Sequence, residues 1–317
     1  MRHTTRWDQI DIRGDYNETL NWSIVVLTMN RPASLRRLLN SLQEAEYDGD
    51  TVQLVIWIDY RDEEAHDETL RIVNTFHFRH GPRLIYERRE SAGLARAWFD
   101  AWVPRRKDEH AIVIEDDSEV SRYFYRWLKQ AWAAYGTYPG IGGMSLNRQT
   151  VRAIVTPGPN VPITNDYKPF LYKLVGTFAF APHPVHWKSY VEWVRRSFYT
   201  MEPLVDGLRT TDWWLRINKN ENIWEQWFIY YCYQHDLFVL YMPLPHRQAL
   251  VVNYAEHGEH HPSKKAGGNR SVAAYEWSEY LQTFPKKLVH YDWDTSPMTC
   301  PKIPECRYWE KPPIKQD

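Results

Sequence analysis

Residues 111–117 read Ala-Ile-Val-Ile-Glu-Asp-Asp, an apolar run that stops abruptly in three carboxylates. The run has the β-branched content of a buried strand. A buried strand does not ordinarily finish in adjacent acids, because like charges at close range raise each other's cost of ionising. A divalent cation removes that cost, and hard carboxylate oxygens suit Mg2+ or Mn2+. An open α/β sheet binds ligands just beyond the carboxyl ends of its strands, which is where these acids fall. The competing reading is a strand that ends in a solvated acidic turn.

The preceding chain supplies the sheet. Ser23 to Met29 is an apolar strand broken by Asn30-Arg31-Pro32, and Pro32 suits the first position of a helix. Leu35, Leu38, Leu39 and Leu42 then follow helical spacing. Val52 to Ile58 forms the second strand and ends in Asp59, and Glu63 to Phe76 reads as a helix. Leu84 to Tyr86 is a short third strand, and Ser91 caps a helix that runs to Val103 before Pro104. Three strand–helix units in a row predict an α/β fold with a mostly parallel central sheet flanked by helices. No Gly-x-Gly-x-x-Gly follows the first strand and no phosphate-loop Gly-Lys-Ser/Thr occurs, which disfavours dinucleotide dehydrogenases and ordinary NTPases.

The second half is less regular. Helices are expected over residues 122–135, 185–198 and 211–233, and extended segments over 141–146, 171–180, 237–241 and 249–252. The organisation read from this pattern is an N-terminal arm (1–21), a single domain (22–261, whose half to 118 resembles the nucleotide-binding half of a doubly wound fold) and a C-terminal wrap (262–317). A net charge of -1 over 317 residues argues against a general polyanion binder and disfavours nucleic acid as a partner, with local basic patches left open. No stretch of 18 apolar residues offers a membrane span, and the N-terminal residues lack the apolar core of a signal peptide. A cytoplasmic location is therefore expected of the chain as it stands, unless an anchor has been removed. The 16 Trp and 21 Tyr could line a sugar-binding cleft, but most must be core. Cys232 reads as a buried thiol, whereas Cys300 and Cys306 could pair.

These motifs carry a resemblance. Leu27-Thr28-Met29-Asn30-Arg31 after the first strand, Asp59 after the second and Glu115-Asp116-Asp117-Ser118-Glu119-Val120 after the fourth look like a GT-A glycosyltransferase. More narrowly the chain resembles the inverting family 13 N-acetylglucosaminyltransferases, and it shares the layout of family 2. Val120, Phe124 and Trp127 match the hydrophobic positions after the acids in family 13. Asp212-Trp213-Trp214-Leu215-Arg216 is similar to that family's Asp-Trp-x-x-Arg, and His257-Gly258 to its donor-covering loop. The resemblance spans roughly residues 22–260.

It implies a metal-dependent inverting transfer of sugar from a nucleotide-sugar, most simply a UDP-sugar, to a hydroxyl of a glycan or other acceptor. Asp117 would bind the Mn2+ or Mg2+, and Glu115 and Asp116 would hold ribose or sugar hydroxyls. Asp59 is placed to accept hydrogen bonds from uracil or ribose, or else to cap a helix. Arg31 would pair with phosphate or stack near the base, with Thr28 and Asn30 beside it. Gly93 and Arg96 open a helix whose N-terminus can hold phosphate. Asp212 would be the general base, against an ordinary helix-start acid. His257 would complete the metal site or touch the diphosphate, ahead of His260 and His261. The segment from Tyr254 to Asn269 is expected to order over bound donor. Two other classes stand beside this one: a sugar-phosphate nucleotidyltransferase, and a non-catalytic carbohydrate-binding protein on the same scaffold.

Overall fold

The computed structural model describes residues 10–60, 64–154, 161–216, 223–254, 256 and 271–298. Its first half follows the alternation read above. Strand β1 (Ile10–Arg13) precedes β2 (Trp22–Thr28), α1 (Pro32–Glu44), β3 (Gln53–Ile58), α2 (Glu64–Thr75), β4 (Arg83–Arg88), α3 (Gly93–Ala101) and β5 (His110–Glu115). Helix α1 begins at Pro32, and Leu35, Leu38, Leu39 and Leu42 are all fully buried on one face. Each such side chain contributes about 1.5–3 kcal/mol through apolar burial.

Beyond the acids come β6 (Ser118–Val120), α4 (Phe124–Tyr135), β7 (Ile141–Ser145), β8 (Phe170–Tyr172), β9 (Ala179–Pro182) and α5 (Pro184–Ser197). Helices α6 (Arg209–Arg216) and α7 (Glu225–Gln234) follow, then β10 (Phe238–Tyr241), β11 (Gln248–Ala249), β12 (Val251–Asn253), β13 (Val272–Ala273) and β14 (Val289–Tyr291).

Ten strands form one sheet in the order β1-β4-β3-β2-β5-β9-β7-β10-β8-β14. Strands β4, β3, β2 and β5 are parallel neighbours, as the crossovers predict. Strand β9 then runs antiparallel between β5 and β7, and β10 pairs parallel with β7. Hence β2, β3, β4, β5, β7 and β10 all point one way, and their carboxyl ends share an edge. By local pattern residues 171–180 look like one extended stretch. In the structure this is two strands, β8 and β9, on opposite sides of β7 and β10.

Residues assigned to the arm and the wrap also enter the sheet. Strand β1 pairs antiparallel with β4 at one edge, and β14 pairs parallel with β8 at the other. Two-stranded ribbons pair β12 with β6 and β11 with β13.

Alternate strand residues serve opposite layers. Ile24, Val26, Leu54, Ile56, Ile112 and Ile114 pack with α1, α2 and α4. Val25, Leu27, Val55, Trp57 and Val113 pack with α3, α5 and α7. Full burial of alternate residues on both faces explains why these strands read as continuous apolar runs. The second layer is strongly aromatic. Trp98, Trp187 and Trp224 are completely buried there, so much of the tryptophan content is core. Cys232 on α7 is buried and free. No described helix is long and apolar enough to cross a membrane.

His183, at the N-cap of α5, is 6% exposed and its Nε2 faces the Gly136 carbonyl at 3.2 Å. Burial depresses its pKa from 6.5 to about 4. The unfolded chain therefore binds a proton at a pH where the fold does not, and stability present above pH 6.5 is lost as the pH falls toward 4. His183→Gln keeps an amide donor for Gly136 and removes the titration. Between pH 7 and pH 5 the stability difference should move by about 2 kcal/mol in favour of the variant. Urea unfolding at the two pH values measures this, and a pH-independent difference would contradict it.

Candidate functional site

The reversal in strand order fixes the site. From β2 the chain builds outward through β3 to β4, then crosses back to lay β5 on the other side of β2. The carboxyl ends of β2 and β5 thus flank a topological switch point, the crevice where open α/β sheets bind ligands. Leu27 pairs in register with Glu115, and the Asp116 amide donates to the Leu27 carbonyl at 3.0 Å. That register brings the residues after Leu27 against those after Glu115.

The Thr28 hydroxyl donates to Asp116 Oδ2 at 2.7 Å. Arg31, in the turn into α1, sends Nη2 to Asp116 Oδ1 and Nη1 to Asp117 Oδ2, the latter at 2.9 Å. Asn253, at the end of β12, donates from Nδ2 to the other Asp117 oxygen at 2.7 Å. Glu115 is held from the opposite layer, where Trp98 Nε1 of α3 donates to its Oε1 at 3.0 Å. Trp98 is itself stacked on Trp224, with centroids 3.9 Å apart.

Electrostatics follow the packing. Burial, reinforced by the charge of Asp117, pushes Glu115 up to about 8. Burial also raises Asp116 against the opposing pull of Arg31 and Thr28. For Arg31, burial works against the charge, but the carboxylates of Asp116, Asp117 and Glu115 outweigh it and raise its pKa.

The other sequence candidates fall in distinct places. Asn30 lies in the same turn as Arg31. Asp59 follows β3, and its amide donates to the Thr28 carbonyl at 2.9 Å. Its Oδ1 accepts from the amides of Tyr60 at 3.0 Å and Ala92 at 2.9 Å, and its Oδ2 from the Ser91 hydroxyl at 3.3 Å. These are the bonds of an acid that caps the start of α3, and burial raises its pKa. Gly93 takes a φ of +71°, the left-handed backbone that favours glycine, and Arg96 follows on the first turn of α3.

Asp212 is an exposed residue in the first turn of α6, with Thr211 and Trp214 turned inward. Gln226 Nε2 of α7 donates to the Thr211 hydroxyl at 2.9 Å, which ties the two helices together. The neighbouring Glu225 adds to the field that raises Glu115, and burial pushes Glu225 itself up to about 7. Among the described residues no contact joins Asp212 to the three acids. His257, His260 and His261 lie outside the described residues, as does nearly all of 254–269. Glu256, which is described, binds Ser34 and Arg37 of α1.

Sequence reasoning missed Trp98, Asn253 and Glu225. Trp98 sits at an apolar position of an amphipathic helix, and nothing in its local pattern marks an indole that serves an acid. The Asn253 signal was only its place at the end of a short strand.

Among the described residues no group of three or more His, Cys, Asp or Glu is arranged to hold a metal ion. A single-carboxylate site still fits the donor set, because Mg2+-type cations are commonly bound by one or two carboxylates plus substrate phosphates. Asp117 is the acid suited to it. Its side chain is 10% exposed against 1% for Asp116, whose Oδ2 is committed to Thr28. A cation at Asp117 Oδ2 would have to displace Arg31 Nη1.

Fold and site together define a mixed α/β domain with an acid-lined crevice at the switch point of its sheet. The chain belongs to the family described as the SPBC1E8.03c C-terminal domain, whose model matches residues 31–200, more than half of the 317. The match runs from Arg31 through α5 and includes the three acids.

A comparison with curated proteins finds no match. Among solved structures, S. aureus TarS 1–349 in complex with UDP-GlcNAc aligns at 15% identity and a TM-score of 0.44, over 71% of this chain and 59% of that one. The mannosyltransferase PcManGT from Pyrobaculum calidifontis, in complex with GDP-Man and Mn2+, aligns at 14% identity and a TM-score of 0.37, over 55% and 46%. Each alignment spans less than two thirds of the other protein's chain.

Removing Arg31 leaves a carboxylate that is 1% exposed without its counter-charge. Arg31→Gln should cost about 3 kcal/mol at pH 7, the scale for one partner of a buried pair. The loss should shrink as the acids are protonated at low pH. Denaturant midpoints at pH 7 and pH 5 measure both, and an equal loss at the two would rule out the pairing as its cause.

Proposed function

We propose that the chain is a glycosyltransferase that moves a sugar from a nucleotide-sugar to an acceptor hydroxyl. The observation that carries the reading is the assembly of Glu115, Asp116 and Asp117 with Thr28 and Arg31 at the switch point. Acids and a guanidinium in one crevice suit a ligand with both hydroxyls and a diphosphate. The motif resemblance to GT-A enzymes, and within them to the inverting family 13 layout, supports the choice of a UDP-sugar.

In this reading Arg31 exchanges its contact with Asp117 for the donor's diphosphate, as planar guanidinium groups favour phosphate. Asp117 is the residue that would hold Mn2+ or Mg2+, and the metal would supply Lewis-acid stabilisation of charge on the departing nucleotide diphosphate. Glu115, oriented by Trp98, presents a carboxyl oxygen to ribose or sugar hydroxyls, while Asp116, whose two oxygens are held by Thr28 and Arg31, anchors the guanidinium beside the donor. Asp59 and the start of α3, with Gly93 and Arg96, border the nucleotide side. The acceptor oxygen bonds to the anomeric carbon as the bond from that carbon to the diphosphate breaks, with inversion. The acceptor proton passes to Asp212. Glu225 is a second candidate for that proton: it opens α7 beside Trp224, which stacks on the Trp98 that holds Glu115, and burial pushes its pKa up to about 7. His257 is retained as a donor-side contact by resemblance alone.

Asp117→Asn should abolish Mn2+-dependent UDP binding in calorimetry while the unfolding midpoint stays near the parent's. Undiminished metal-dependent affinity would remove Asp117 from the metal site. A panel of nucleotide-sugars scored for nucleoside diphosphate release tests the reaction class, and a protein that binds and turns over none of them is not a transferase.

Asp212→Asn should lower turnover by roughly 10²–10⁴ with donor binding unchanged, the usual effect of losing an acid–base group. If Glu225→Gln shows that loss and Asp212→Asn does not, the base lies on α7.

A further inference from the structure

A second concave site lies on the same edge of the sheet. It is a cavity of about 210 Å³ beyond the carboxyl ends of β7 and β10. Its wall includes Phe170 and Tyr241, whose rings stack with centroids 5.7 Å apart, and Tyr167. Two arginines, Arg148 after β7 and Arg247 after β10, complete it.

The arginines are the informative part. Among the described residues no ion pair joins either one to an acid, and Arg148 Nη1 is buried without a hydrogen bond. Burial and the charge of Arg247 both push the Arg148 pKa down, so the two guanidinium groups are close enough to repel. A buried, unpartnered donor beside a like charge is an arrangement that an anion relieves. The loops that carry the wall are held in unusual backbone conformations. His246 and Arg247 have φ of 53° and 60°, and Asn165, Asp166 and Tyr167 have φ of 43°, 50° and 55°. Non-glycine residues in this region are costly, and such positions cluster at ligand clamps.

Distance relates the cavity to the proposed transfer site. Between β5 and β10 stand only β9 and β7. At the usual strand spacing the cavity lies roughly 10–15 Å along the edge from the acids. That is a reach a short glycan covers, and the half-buried ring of Tyr167 on the cavity wall offers an aromatic face of the kind that suits a sugar ring.

Resting on the transferase reading, we infer that this cavity is an acceptor subsite in which Arg148 and Arg247 bind an anionic group, phosphate or carboxylate, carried on the acceptor sugar. The acceptor is then an acidic glycan. Donor chemistry stays at the acids, and the arginine pair selects the acceptor.

The test titrates the full chain, saturated with UDP and Mn2+, with glucose, glucose 6-phosphate, glucuronate and inorganic phosphate, followed by calorimetry or tyrosine fluorescence. At least one charged sugar should bind about tenfold more tightly than glucose, a preference of the size a charge-assisted pair supplies. Which charged sugar wins separates phosphate from carboxylate. Arg148→Gln and Arg247→Gln should each erase the preference. Arg247→Glu, at an exposed position, should reverse it without threatening the fold. UDP binding should be unchanged in all three variants.

Equal binding of charged and neutral sugars, or a preference that survives the arginine variants, overturns the subsite. Inorganic phosphate binding as tightly as glucose 6-phosphate also overturns it, as does no binding by any probe. A protein that selects charged sugars through the arginines yet binds no nucleotide would overturn the transferase reading alone.

Discussion

The crevice depends on one guanidinium set between two buried carboxylates. Without Arg31, the end of β5 would place Asp116 and Asp117 side by side at a site that water scarcely reaches. The bridging contact follows from sheet register, since β2 and β5 pair in parallel up to Leu27 and Glu115. The next residues of the two strands must then meet. Thr28 meets Asp116, and the turn that Pro32 ends by starting α1 delivers Arg31 to both acids. Pairing, turn and charge balance are therefore one feature, which a ligand can remodel because only its outer contact, Arg31 with Asp117, borders solvent.

The second half of the chain serves this centre from two directions. Helices α3 and α7 bring Trp98 and Trp224 beneath Glu115, so an aromatic stack deep in one layer sets the position of an acid at the rim. From the other side, the β6–β12 ribbon carries Asn253 to Asp117, and the Tyr254 amide donates to the Asp117 carbonyl at 2.9 Å. Tyr254 also binds Glu119 through its hydroxyl and lies under the Arg37 guanidinium at 3.7 Å. The backbone after the acids is thus held at both its main chain and its side chains.

The parts written in local pattern were legible from sequence. Leu35, Leu38, Leu39 and Leu42 announced α1, Pro32 its start, and the Ala111–Ile114 run a buried strand ending in acids. Parallel order followed from the strand–helix alternation. What local pattern does not contain was lost. The insertion of β9 between β5 and β7 is a tertiary choice, since residues 171–180 look extended whichever neighbours they take. The sequence proposed a metal to balance three acids. In the structure Arg31, which sequence reasoning had set aside for a ligand, already meets two of them. Asp59 kept both its readings, and its bonds to residues 60, 91 and 92 show the capping one in place.

The hydrogen bond between Asn253 and Asp117 spans 136 positions of the chain. A nascent chain made from its N-terminus lays down β2, β3, β4 and β5 early, with the acids at the tip of a strand whose far edge is still open. Strand β9 closes that edge only after β6, α4, β7 and β8 have been made, and the residue that caps Asp117 emerges later still. Contacts at such separation form slowly, because a long loop must close before they are gained. The crevice is therefore completed late in synthesis, and any shortened chain that ends before β12 carries the acids without their last restraint.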